Sequence, residues 1–201
     1  MIKRLLYSLS FFILLCFNVK TFGQEQDPLE ILKQREKESI EKSWDQLGKF
    51  LGSIYFEVTT PDTANYENGI IPWASLEKPD EAIPNLKDAK EIIITSSKVT
   101  VIIDYPLKAE YQFELISDSG FSRATLLKEI SKAYYKIYED EEATASIKTI
   151  PIEKRTTMHN RNETNGKHGI WGHDIADLAL SEIMVYTTND GKLILTLMIE
   201  S

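Results

Sequence analysis

Apolar and polar residues alternate strictly over 109–116. Tyr111, Phe113 and Leu115 fall on one side, Glu110, Gln112 and Glu114 on the other. A period of two over that length predicts a strand of an antiparallel sheet with one face in water. Upstream, 91–95 and 99–104 carry the β-branched character of strands, and Ser96-Ser97-Lys98 between them predicts a tight turn. Further on, 178–187 and 192–200 bracket Thr188-Asn189-Asp190-Gly191. That is a hairpin signal, with Gly191 free to take the left-handed conformation the loop needs. Leu193, Leu195, Leu197 and Ile199 make one face of the last strand, and 53–60 reads as another short strand.

The period changes after Phe121. Leu126, Ile130, Ala133 and Ile137, flanked by Leu127, Tyr134 and Tyr138, form a broad apolar stripe at helical spacing. Ser122 suits the N-cap, and Phe121 can close against Leu126. The acidic run 139–142 opposes the negative end of a helix dipole, so the helix is predicted to stop within it. A second helix is predicted over 27–52, where Ile40, Trp44, Leu47 and Leu51 recur at helical spacing. Pro28 fits its first turn, and Gly48 and Gly52 end it. Between 61 and 88, four prolines punctuate a long connection that still carries Ile70, Ile71, Trp73, Leu76 and Ile83. Those residues predict a segment tacked down over the core. The whole is an α+β fold: an antiparallel sheet of about five strands packed against one long helix, with an additional N-terminal helix.

The first residues change the picture of where this domain works. Lys3 and Arg4 precede an apolar run over 5–17, and Thr21-Phe22-Gly23 supplies small residues before Gln24. This predicts a signal peptide over 1–23, too short to span a bilayer, and a single globular domain over 24–201. The product is expected to be exported, periplasmic or secreted, with no stable membrane insertion. Cys16 offers a lipoprotein alternative, but Leu15 stands where a small residue is wanted.

Composition adds two exclusions. Cys16 is the only cysteine, so the mature chain has no disulfide framework. The net charge of -8 becomes more negative once Lys3, Arg4 and Lys20 leave with the signal. An acidic chain repels phosphate backbones, which argues against nucleic acid as a partner.

The candidate chemistry lies in 158–177, which reads MHNRNETNGKHGIWGHDIAD and holds all three histidines. His159, His168, His173 and Asp174 are candidate metal ligands by type. However, His168 and His173 are five apart, not the four of a helical zinc pair. His173 with Asp174 or Asp177 is a candidate acid–base group, although no nucleophile elbow or phosphate cradle accompanies it. Trp171, Trp73, Asn160 and Asn162 are candidate walls and hydrogen-bonding groups of a ligand site. A structural reading competes with all three. Glycines on either side of Trp171 allow tight backbone around a buried indole, Asp174 caps a helical turn before the hairpin, and His173 locks the loop through backbone. The favoured function is a non-catalytic binding or interaction domain of the cell envelope. Its expected partner is a small molecule, a glycan or an envelope protein, and the sequence specifies no cofactor. The alternative is a small hydrolase using the loop histidines and carboxylates, metal-dependent or not.

Overall fold

The computed structural model describes residues 28–156 and 161–201. The expected signal segment and Cys16 lie outside the described residues. Helix α1 spans Pro28–Ile40, a 3-10 turn covers Asp45–Leu47, and strand β1 runs over Lys49–Tyr55. Short elements follow: β2 (Val58–Thr59), β3 (Ile70–Ile71), β4 (Ala74–Ser75) and α2 (Pro79–Ala82). Then come β5 (Ile92–Ile94), β6 (Lys98–Ile103), β7 (Tyr111–Ile116), β8 (Phe121–Ser122) and the long helix α3 (Arg123–Thr144). The hairpin β9 (Ala179–Thr187) and β10 (Leu193–Glu200) closes the fold.

The main sheet has the order β1-β9-β10-β6-β7, and β4 extends the edge of β9 beyond β1. Its pairings are antiparallel except β10 with β6, which run parallel. Strand β6 is buried at Val99, Val101, Ile102 and Ile103. A near-continuous apolar strand of that kind suits a central position covered on both faces. Helix α3 buries Leu126, Leu127, Ile130, Tyr134 and Ile137 in one core with Val101, Ile183 and Leu195 of the sheet. Ser122 caps it as expected, its side chain accepting from the Thr125 N–H. Ile130 is fully enclosed, so Ile130→Ala should cost about 2–5 kcal/mol in a urea titration.

Three expectations are corrected. First, the N-terminal helix stops at Ile40, which is 68% exposed, instead of running to Gly52. The helical spacing of Trp44 serves a different end. Trp44 packs on the far face of the sheet against Ile102 and Tyr186, with the Lys42 ammonium 4.0 Å above its ring. At Gly48 the chain turns with φ 124° so close to β9 that an added Cβ would lie 2.3 Å from the Thr187 carbonyl oxygen. A helix cannot pass through that contact, and the backbone from Lys49 takes its hydrogen bonds from β9. Second, β5 and β6 do not form a hairpin. β5 pairs with β8 instead, and β6 lies between β7 and β10. Third, α3 passes through the acidic run to Thr144. Lys136 and Lys167 hold Asp140 at 2.7 and 3.0 Å, and Glu141 turns inward to a partner described below. Among the described residues, no helix is long and apolar enough to cross a membrane.

Candidate ligand-binding site

The segment from Arg161 to Leu178 is a hydrogen-bonded ribbon, not a free loop. Arg161 N–H donates to the Gly172 carbonyl and Thr164 N–H to Ile170, both at 2.9 Å. Trp171 N–H reaches the Pro106 carbonyl at 3.1 Å, which ties the ribbon to the end of β6. Its turn folds around one carboxylate. Glu141 Oε1 accepts from Gly166 N–H at 2.7 Å, and Oε2 accepts from His168 and Gly169 N–H at 2.8 and 3.0 Å. Burial works to raise this carboxyl. The donors on Thr164, His168, Gly166 and Gly169 outweigh it and hold the group at about 2.

The three loop residues proposed for catalysis are each engaged. His173 Nε2 lies 3.3 Å from Glu36 Oε1 of α1, and its ring packs 5.5 Å from Tyr105 and 6.0 Å from Trp171. Its expected backbone partner is therefore replaced by a side chain from another element. The backbone lock runs the other way, with the Tyr138 hydroxyl donating to the His173 carbonyl at 2.8 Å. The Asp174 carboxylate binds Arg155 through both oxygens, and Asp177 Oδ2 accepts from the Asp174 N–H at 2.9 Å.

His168 stands apart from these. It is buried edge-on against Tyr111 at 5.5 Å, with Nε2 3.8 Å from Asp140. Burial pushes its pKa below the ordinary value. His159 and Asn160 lie outside the described residues. Among the described residues, no three His, Cys, Asp or Glu side chains are placed to hold a metal ion.

The binding candidates also separate. Trp171 is 4% exposed, edge-on to Tyr105 at 5.1 Å, with the Arg35 guanidinium 5.9 Å from its ring. Trp73 sits elsewhere, beside Tyr66 at 6.4 Å, and lines a different cavity with Asp177. Asn162 is a lashing. Its Oδ1 accepts from Ile150 N–H at 2.7 Å, and its Nδ2 donates to the Lys148 carbonyl at 3.1 Å.

These lashings leave a cavity of about 580 Å³ between α1 and the ribbon. Leu29, Leu32, Ile150 and one edge of Trp171 give it apolar walls. Arg35, Lys154, Arg155 and Arg161 also line it, with Glu163 as the single acid. Glu163 is shared by Arg35 and Lys108, and Asp174 by Arg155 and Arg161. A volume of that size with mostly apolar walls and a few convergent polar groups is the usual form of a small-molecule site.

No family model, curated protein or solved structure matches this chain.

The arginines are what the sequence reading passed over. The chain has five, and three of them converge on this cavity. Arg161 lies inside the segment already singled out for its histidines. Its signal was type alone, because arginine is the side chain best built to bind a carboxylate in two places. Arg35 and Arg155 had no local signal, since only the tertiary fold brings α1 and the 150–156 segment to the ribbon.

Proposed function

We propose that the protein is an exported, non-catalytic binding protein of the cell envelope, acting on a small molecule. One observation carries the reading: the cavity between α1 and the ribbon, with apolar walls and converging arginines. The state of the loop residues supports it. A general base needs a free lone pair within reach of a substrate proton. His173 faces Glu36, Asp174 is taken by Arg155, and Asp177 holds a backbone N–H. The pattern of 1–23 supports export.

The test uses purified mature protein beginning at Gln24. Offered a panel of chromogenic esters, amides, phosphate monoesters and glycosides, with and without zinc, it should give no turnover above buffer. Native mass spectrometry of protein taken from its own cells should show a small-molecule adduct. Saturable turnover that disappears in His173→Ala would overturn the reading in favour of a hydrolase.

A further inference from the structure

Arg161 is 4% exposed, and its guanidinium is served unevenly. Nε and Nη2 both turn to the Thr149 hydroxyl. The ion pair of Nε with Asp174 is long, at 3.7 Å, because Arg155 already holds both oxygens of that carboxylate. The Tyr138 ring covers the guanidinium at 5.0 Å. Nη1 is buried and has no hydrogen-bond partner among the described residues. A buried, half-served guanidinium is costly to keep unless something completes its hydrogen bonds. Arg161 lines the cavity together with apolar walls, three further cations, the polar Thr156 and Asn162, and one acid, Glu163, which Arg35 and Lys108 already pair. The residues lining this one cavity thus combine an arginine with a buried, unpaired N–H, an excess of positive charge in an acidic chain, and apolar surface.

We infer that this cavity takes an amphipathic anion, a carboxylate on an apolar body, with the acid group on Arg161 and the body against Leu32, Ile150 and Trp171. This rests on the reading of the protein as a binding protein and names the class of its ligand. The charge complementarity is specific to an anion. A neutral ligand of the same shape would leave Nη1 unpaired, and a cation would meet Arg35, Lys154 and Arg155. An inorganic anion would satisfy the arginine and leave the apolar walls in water. Only the two parts joined in one molecule answer both features.

Sodium decanoate, decanol and acetate separate these cases. Each is titrated below its aggregation limit into the mature protein, and binding is read by tryptophan fluorescence and by calorimetry. Decanoate should bind saturably at one site and raise the melting temperature by mass action. Decanol and acetate should each bind at least roughly tenfold more weakly, since each lacks one half of the interaction. Arg161→Gln should weaken decanoate by roughly 10–100-fold, the range for a lost charge-assisted hydrogen bond.

Because Arg161 is buried, two exposed variants give an independent reading. Lys154→Glu and Ile150→Ser should each weaken decanoate by roughly two- to fivefold while the protein melts like the parent. Decanol binding as well as decanoate would overturn the inference. So would an Arg161→Gln protein that folds and binds decanoate like the parent, or two exposed variants that both bind like the parent. Failure of decanoate alongside a native adduct and no turnover would sink this ligand class and leave the binding reading intact. Turnover would sink the binding reading whatever decanoate does.

Discussion

Trp171→Ala is expected to destabilise the protein by about 3–5 kcal/mol, as truncation of a buried aromatic does. The indole is enclosed by Tyr105, His173 and Arg35, and the backbone beneath it is fixed by Gly172 and by the bond to Pro106. Gly172 has φ 70°, a conformation that side chains rarely adopt. The ribbon therefore cannot easily relax to fill the space that alanine leaves. For a chain of this size the loss corresponds to roughly 6–20 °C in melting temperature. Trp171→Phe should recover part of it, because the edge-on contact with Tyr105 survives in a smaller ring. A melt within a degree or two of the parent would show that the ribbon does not depend on the indole.

The second large effect belongs to Glu141. Its side chain is fully enclosed, and three backbone N–H groups end on its two oxygens. Glu141→Ala leaves those donors without their carboxylate, and water entering the vacated space replaces only part of what it supplied. Gly166 approaches so closely that an added Cβ would lie 2.8 Å from the Glu141 carboxyl carbon. The expected cost is about 3–6 kcal/mol, summing the penalty of buried unpaired donors with allowance for partial hydration. Glu141→Gln should cost nearly as much. The amide keeps one acceptor oxygen and turns an N–H₂ toward the remaining donors.

The same residue sets an acid limit. Its folded pKa is about 2, below the ordinary 4.5. A depressed carboxyl contributes stability that is complete above the unfolded value and lost as pH falls through the folded one. Urea titrations of the parent should therefore show stability falling between about pH 5 and pH 2. Glu141→Gln should fall less steeply over that window. Asp140, held at about 2 by Lys136 and Lys167, keeps some slope in the variant. His168 acts in a different window. It is buried with a lowered pKa, so the unfolded chain binds its proton first and stability starts to fall below about pH 6.5. Equal slopes for parent and Glu141→Gln below pH 5 would count against the buried carboxylate as the anchor.

Local pattern was informative wherever one element decides its own burial. The alternation over 109–116 gave β7, with Leu115 buried and Glu114 exposed. The stripe from Leu126 to Ile137 gave the core face of α3, and Thr188–Gly191 gave the final hairpin. Pattern misled where residues at one spacing serve two faces. Ile40, Trp44 and Leu51 repeat like a helix, yet Ile40 and Leu51 are exposed and Trp44 crosses to the far side of the sheet. The acidic run 139–142 looked like a terminator because its isolated dipole term is unfavourable. Lys136 one turn back and Lys167 on Asp140, with the amides of Gly166, His168 and Gly169 on Glu141, reverse that sign, and all but Lys136 come from some twenty-five positions later.

For the candidate site, the sequence singled out a segment whose described part, from Arg161 on, holds a buried indole, because glycine spacing and residue type are local properties. It also set the fold class, since periodicity is a record of which side of each element meets the core. Partner choice was settled only by the tertiary structure. Whether His173 meets backbone or Glu36, whether Asp174 faces a histidine or Arg155, and which cations share a cavity with Trp171 depend on how α1, the 150–156 segment and the ribbon pack. Hydrogen bonds need contact within a few ångströms and charge pairs weaken with separation and salt screening, so both are fixed by distances in space that spacing along the chain does not encode.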